Sequence, residues 1–230
     1  MAQHSSPTCY GQVLFPNRLS RQPPTITKLA EAFSNYNSSL SFVDFVKEHL
    51  DVGDIEFIQS NTHAQYKSLM WKNPRVGTLT STTLHKAVHY KGSDSKNYIV
   101  DEIMGLSGFK GNLSTKYGKE TEPIAKKPYI KEMRKRNYKQ FKFQGCGLFI
   151  NKDNPLRRAT PDGIVSCKCC GKGLLEVKCP FSNKYRFLSG REIATSNTYH
   201  VTIGENNEVT LKQSSPWYTQ ISNPFRCFWV

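Results

Sequence analysis

Asp162, Glu176 and Lys178 fall within one short stretch, residues 160–178, which reads Thr-Pro-Asp-Gly-Ile-Val, a Cys/Gly/Lys-rich turn, then Leu-Leu-Glu-Val-Lys. Ile164 and Val165 open a strand, residues 167–173 reverse it, and residues 174–178 return antiparallel, so Asp162 lands beside the returning strand. Side chains alternate along a strand, which puts Glu176 and Lys178 on one face and Leu175, Val177 and Cys179 on the core side. Two carboxylates and an ammonium then meet at a solvent edge, and like charges of that kind raise each other's pKa unless a cation lies between them. The chemistry that suits them is phosphodiester hydrolysis. Asp162 and Glu176 would hold a hard divalent ion, most simply Mg²⁺ with Mn²⁺ as a substitute, through oxygen ligands and retained waters. Lys178 would orient or deprotonate the attacking water while the ion polarises the phosphoryl oxygen. The same residues also fit an ordinary hairpin, because a Pro-Asp-Gly turn followed by an amphipathic strand is common.

Other segments favour the first reading. Residues 71–80 read Trp-Lys-Asn-Pro-Arg-Val-Gly-Thr-Leu-Thr, residues 117–125 read Tyr-Gly-Lys-Glu-Thr-Glu-Pro-Ile-Ala, and residues 217–220 read Trp-Tyr-Thr-Gln. Together with the Asp162, Glu176 and Lys178 set, residues 56–181 resemble the lambda-exonuclease-like nucleases, the YqaJ viral recombinase group of the PD-(D/E)XK superfamily. The first block is similar to the family's Trp-x-x-x-Arg-x-Gly-x-x-Thr entry, the second to its Gly-x-x-x-Glu-x-x-Ala helix, and the last to its Tyr-x-Gln helix. The resemblance implies a restriction-endonuclease-like mixed sheet flanked by helices and a Mg²⁺-dependent deoxyribonuclease acting in recombination or repair. An exonuclease on double-stranded DNA ends is the form it implies first. It also implies roles by position: Arg75 beside the scissile phosphate, Thr82 where many members carry serine, Glu122 as an outer metal or water contact, and Gln220 closing the site. Two other readings stand beside it, a non-catalytic nucleic-acid-binding remnant of the same fold and an endonuclease.

Charge is consistent with a polyanionic partner. The 230 residues carry 32 Lys and Arg against 18 Asp and Glu, a formal charge of +14. Ribosomal, histone-like and membrane-surface proteins share that balance, so charge narrows the partner and not the act. Its distribution says more. Lys126, Lys127, Lys131, Arg134, Lys135, Arg136, Lys139 and Lys142 follow the Glu122 segment with Glu132 as the sole acidic interruption. This run is expected to form a cationic wall for DNA phosphates, giving sequence-independent affinity that weakens with salt. A solvated helix face or a nuclear-import signal is the alternative use of such a run. Self-association into a homo-oligomer around DNA stays open.

Seven cysteines and six histidines need a place. Structural zinc normally uses Cys pairs from two separate knuckles, whereas Cys167, Cys169 and Cys170 share one turn and Cys179 follows on the core side, so a standard zinc site is not expected there. Reduced thiols in an intracellular protein, nuclear in a eukaryote, are the expectation; Cys9, Cys146 and Cys227 are too scattered to define a disulfide framework. His85, His89 and His200 are isolated in sequence and carry no assigned role. Residues 1–24 lack an apolar signal region, and no membrane span appears.

The elements that must hold these residues read as α/β, or α+β. Residues 1–25 are expected to be a loose arm, 26–60 a helical lead-in and 61–230 the nuclease domain. Helices are predicted over 27–33 and 41–50, with Phe42, Phe45, Val46 and Leu50 on one stripe, then over 62–71, with Pro74 forcing an extended residue before it. Residues 80–88, 97–105 and 119–136 follow as helices, the last kinked by Pro128. Residues 141–150 read as the first sheet strand, and 152–155 as a turn. Ser222 occupies a position where the family carries a second glutamine, and Pro224 would stop the last helix. The sheet is therefore expected to be incomplete after Gln220.

Overall fold

The computed structural model describes residues 22–36, 39–92, 98–108, 110–136, 138, 140–183, 188–196 and 199–222. Most of the expected N-terminal arm, Cys9, Asn97, Lys139, Pro224 and Cys227 lie outside the described residues, as does the stretch in which a closing strand was expected to be missing. The chain forms two compact units that alternate along the sequence: Met1–Thr80, Ser95–Leu106 and Cys146–Thr160 make the first, and Ser81–Asp94, Ser107–Gly145 and Pro161–Val230 the second.

The first unit is built on three capped helices, α1 (Ile26–Ser34), α2 (Phe42–His49) and α3 (Val52–Asn61). Thr25 and Ser41 accept the backbone N–H of Lys28 and Asp44, and Asp51 forms a reciprocal capping box with Asp54. The apolar stripe buries Phe45, Val46 and Leu50 with Leu29 and Ile58, and Phe42 packs against this core from a half-buried position. The helix expected over 62–71 is displaced. α3 already ends at Asn61, because the Thr62 hydroxyl donates to the Ile58 carbonyl at 2.6 Å and accepts the Leu148 N–H at 2.7 Å. Thr62 thus serves as a helix stop and as an anchor for a strand 86 residues away. A short 3₁₀ turn and α4 (Leu69–Lys72) follow, and Asn73 is helical at φ −57° and ψ −47°, not extended. Pro74 is the second residue of another 3₁₀ turn, Asn73–Arg75, a position that does not use its missing N–H.

β1 (Leu79–Thr80) runs parallel to β4 (Arg157–Ala159), which pairs antiparallel with β3 (Phe149–Ile150). The strand expected over 141–150 is broken in two. β2 (Lys142–Gln144) belongs to the second unit and β3 to the first, separated by the Gly145–Leu148 passage. At Gly147 any Cβ would run into the Gln59 carbonyl oxygen and the Thr62 hydroxyl, so the backbone passes α3 where only glycine fits. The turn at 152–155 forms as read, with Asn151 accepting the N–H groups of Asp153 and Asn154 at 2.9 Å. The first unit also contains α6 (Tyr98–Ile103), of which Ile99 is buried.

In the second unit, α5 (Ser81–Val88) follows β1 directly, so Thr80 closes a strand where a helix start was expected. α7 (Leu113–Lys135) begins earlier than expected, with Asn112 capping Thr115, and runs unbroken through Pro123 and Pro128. β2, β5 (Gly163–Cys167) and β6 (Gly171–Leu175) form an antiparallel sheet in the order β2-β5-β6. The turn between β5 and β6 is only Lys168–Cys170, shorter than the 167–173 predicted, and β6 ends before Glu176. α8 (Gly190–Thr195), a hairpin of β7 (Val201–Ile203) and β8 (Val209–Leu211), and α9 (Pro216–Ser222) are its remaining described elements. The class is mixed α/β, as expected, though among the described residues the strands form three small sheets and not one. No described helix is long and apolar enough to cross a membrane.

Candidate active site

The register of the β5–β6 hairpin decides what faces what. Gly163 pairs with Leu175, so the next pair outward is Asp162 against Glu176. Asp162 holds that outward step in place twice: its N–H donates to the Leu175 carbonyl at 2.9 Å, and its Oδ2 accepts the Val177 N–H at 2.6 Å. Both carboxylates are largely enclosed, with side-chain exposure of 10% at Asp162 and 14% at Glu176. Lys178 reaches back to Glu176 Oε1 at 2.7 Å, which puts the two on one face as strand alternation requires even though β6 has formally ended.

Two other elements join this edge. α7 brings Glu122, and one turn later Lys126, whose ammonium lies 2.5 Å from Glu122 Oε1 and 3.7 Å from Asp162 Oδ1. α9 brings Gln220, whose amide donates to Glu176 Oε1 at 2.5 Å. Three carboxylates, two ammonium groups and one amide therefore converge from α7, the hairpin and α9. Of the basic run, Lys126 is turned inward to the acids, where a place on the DNA-facing wall was expected. One residue along a helix is a rotation of about 100°, so Lys127 takes a different face, shared with Lys131 and Arg134. Lys127, Lys131, Arg134, Lys135 and Arg136 are exposed, and Arg136 is paired with Glu132 at 2.9 Å.

Lys126 and Lys178 relieve the charge at this edge only in part. Burial first, then Glu176, and more weakly Glu122, push the Asp162 carboxyl up to about 7 against the opposing pull of the Val177 N–H and Lys126. Cys179 lies beside the same acids, and its thiol is raised by burial, Glu122 and Asp162, so it does not join the cysteine turn. The donor set suits a hard cation. Glu176 Oε1 takes both the Lys178 and Gln220 hydrogen bonds, which leaves Oε2 to a further partner. Among the described residues, the only trio of His, Cys, Asp or Glu with ligand atoms all within 4.8 Å of one another is Cys167, Cys169 and Cys170. The carboxylates do not close into an all-protein cage. Mg²⁺ does not need one, since it binds through one or two carboxylates and keeps waters.

Arg75, in the first unit, stacks on Trp71 with its guanidinium carbon 4.0 Å from the ring centroid, and burial lowers its pKa to about 10. Trp71 is itself fixed by an Nε1–H bond to the Thr160 hydroxyl at 2.9 Å. Thr82, in the second unit, is exposed on the first turn of α5.

Sequence reasoning passed over two features. His85 shares a 2.8 Å hydrogen bond with the hydroxyl of Thr219, next to Gln220, and so ties α5 to α9. His89, one turn on and just past the end of α5, lies tilted against His85 with ring centroids 4.2 Å apart, and the His85 pKa is lowered by desolvation and then by His89 and His200, which comes from far along the chain. The i, i+4 spacing of His85 and His89 could have shown that pair, whereas nothing local pointed to His200. Arg158, in the first unit, is buried, and its guanidinium donates to the Pro155 carbonyl at 3.1 Å and the Pro74 carbonyl at 2.5 Å. An arginine in a three-residue strand gave no signal either.

The sequence model of the YqaJ-like viral recombinase domain matches residues 70–209, which include Arg75, Thr82, Glu122, Asp162, Glu176 and Lys178 but not Gln220. A crystal structure of LHK-Exo in complex with dAMP shares 22% identity, with a TM-score of 0.39 over 51% of this chain and 56% of that one. No curated protein matches the chain.

Proposed function

The chain belongs to the YqaJ-like viral recombinase domain family, and from that premise we propose that it is a Mg²⁺-dependent deoxyribonuclease, an exonuclease on double-stranded DNA ends serving recombination or repair. The observation that carries the reading is the convergence of Glu122, Asp162 and Glu176 with Lys178 and Gln220 at one edge, where Asp162 is raised to about 7 by burial and by its acidic neighbours. Such a cluster is under electrostatic load that a divalent ion would relieve.

Asp162 and Glu176 would hold the ion, which supplies Lewis-acid polarisation of the phosphoryl oxygen and a water of lowered pKa. Lys178, held by Glu176, positions the attacking water and moves its proton. Gln220 holds Glu176 Oε1 from the other side, so the carboxylate presents Oε2 in one orientation. Lys126 offsets Glu122 and Asp162, and Glu122 acts as an outer contact for the ion or a water. Phosphate positioning by Arg75 and Thr82 rests on their place in the family motif. The exposed cations Lys127, Lys131, Arg134 and Lys135 on α7 supply sequence-independent attraction to the DNA backbone.

Incubating the full chain with end-labelled linear DNA and a covalently closed circle, with Mg²⁺ or with chelator, tests the reading. Mg²⁺-dependent loss of the linear DNA alone is the expected result. Nicking or linearisation of the circle would make it an endonuclease. Retardation of both DNAs with no loss of either would leave a binding remnant and overturn the enzymatic reading.

A further inference from the structure

We propose that Cys167, Cys169 and Cys170 form a three-thiolate site for a soft d¹⁰ cation, Zn²⁺ in the first place, at the tip of the β5–β6 hairpin. This goes beyond the nuclease reading and does not depend on it. The sulfurs are already gathered: Cys169 lies 3.2 Å from Cys167 and 3.5 Å from Cys170, and all three lie within 4.8 Å of one another. Zinc–thiolate bonds of about 2.3 Å in a tetrahedron put sulfurs roughly 3.8 Å apart, so the trio needs only a small spread to take an ion.

The turn has the build of a metal knuckle. Cys167 and Cys170 have Cys-x₂-Cys spacing, the Cys170 N–H donates to Cys167 Sγ at 3.2 Å, and Gly171 follows at φ +81°, the left-handed conformation that lets the chain turn into β6. Within the trio the Cys167 thiol is lowered, first by the Cys169 thiol and also by the Cys169 and Cys170 N–H groups, while the Cys170 thiol is pushed up to about 11 by Cys169 and Cys167, so an ion would have to displace a proton from Cys170. The residues are accessible, with Cys169 and Cys170 exposed and Cys167 half-buried, so their clustering is not a product of core packing. One side is walled. Cys167 and Cys170 border a cavity of about 260 Å³ lined also by Tyr129, Met133, Phe141 and Leu174, largely apolar side chains. No other described Cys, His, Asp or Glu joins the cluster, so the fourth position is left to water or an exogenous ligand. Binding would pin the closed end of the hairpin whose open end carries Asp162 and Glu176.

In sequence the turn looks like a poor zinc site, because its three thiols lack a second knuckle. A single knuckle with an added thiol supplies three ligands by itself.

The test is titration of the reduced, metal-free full chain with Cd²⁺, followed by the ultraviolet cadmium–thiolate charge-transfer band. One equivalent should saturate it, Zn²⁺ should reverse it, and Mg²⁺ should not. The combined variant C167S/C169S/C170S should lose the band while C146S and C179S keep it, with circular dichroism confirming the fold of each. Because serine at exposed Cys170 disturbs packing least, Cys170→Ser alone should weaken Cd²⁺ binding by more than the roughly 10–100-fold typical of a change outside the ligand shell. No band at saturating Cd²⁺, or an equal band in the triple variant, would overturn the site, and neither outcome bears on Mg²⁺-dependent cleavage.

Discussion

Gln220 and Glu176 are 44 residues apart in the chain and meet at 2.5 Å, the amide of α9 donating to the same carboxylate oxygen that accepts from Lys178. Glu176 is thereby held from two sides before any ion arrives. Gln220→Ala should lower Mg²⁺-dependent cleavage about 10–100-fold, the usual cost of removing a group that orients a metal ligand. Gln220→Glu should do worse by setting a like charge against Glu176. Steady-state digestion of end-labelled DNA checks both, and unchanged rates in both variants would remove Gln220 from the mechanism.

His85→Ala should reproduce part of the Gln220 defect, because His85 holds Thr219 on the next residue of α9. A fall in cleavage of severalfold with unaltered DNA retention is expected. Thermal melting should show a smaller loss than for a core truncation, about 1 kcal/mol for one hydrogen bond.

The raised carboxyl of Asp162 makes a signed statement about pH. Its pKa is 3.8 in an ordinary carboxyl and about 7 here, so the folded chain holds the proton more tightly than the unfolded chain does. Its contribution to stability is most favourable below 3.8 and is lost as pH rises through about 7. Asp162→Asn should therefore abolish cleavage yet raise stability, by on the order of 2–3 kcal/mol more at pH 8 than at pH 5, with the smallest gain below pH 4. A Mg²⁺ ion held by Asp162 would have to displace that proton, so its stabilisation of the wild-type chain should be larger at pH 8 than at pH 6 and vanish with chelator. Equal Mg²⁺ shifts at both pH values would mean that Asp162 is not a ligand.

Lys178→Ala should leave DNA binding nearly intact and reduce cleavage by roughly 10²–10⁴-fold, the range for losing a positioned proton-transfer group. Matched cleavage by mutant and wild type would take Lys178 out of the reaction.

The face of α7 that carries Lys127, Lys131 and Arg134 predicts a salt signature. Replacing all three with alanine should weaken binding across unrelated sequences and reduce the slope of log affinity against log salt by about 0.9 for each phosphate that the three cations neutralise. Lys126→Ala should leave that slope unchanged, because its ammonium is committed to Glu122 and Asp162.

What could be read without coordinates was whatever local periodicity carries. Helical spacing marked α1 and α2 because Phe45, Val46 and Leu50 recur on one stripe and must bury it. Strand alternation put Glu176 and Lys178 on one face, and the short return of the hairpin set Asp162 against them. Boundaries were harder. α3 stops at Asn61 because a hydroxyl one residue on is shared with Leu148, and the stretch over 141–150 splits because Gly147 must slide past the Gln59 carbonyl.

By itself, then, the order of residue types determined that two acids and a lysine would share one edge of a hairpin, since that follows from a period of two and a tight turn. Only the tertiary structure decided how distant groups complete the edge: Lys126 of α7 turned from the basic run to the acids, and His85 placed behind Gln220, whose closing position the family resemblance had implied. The reason is physical. Local pattern fixes which way a side chain leaves its own element, but the partner it meets depends on how separate elements pack, and that is settled by burial shared across the whole unit.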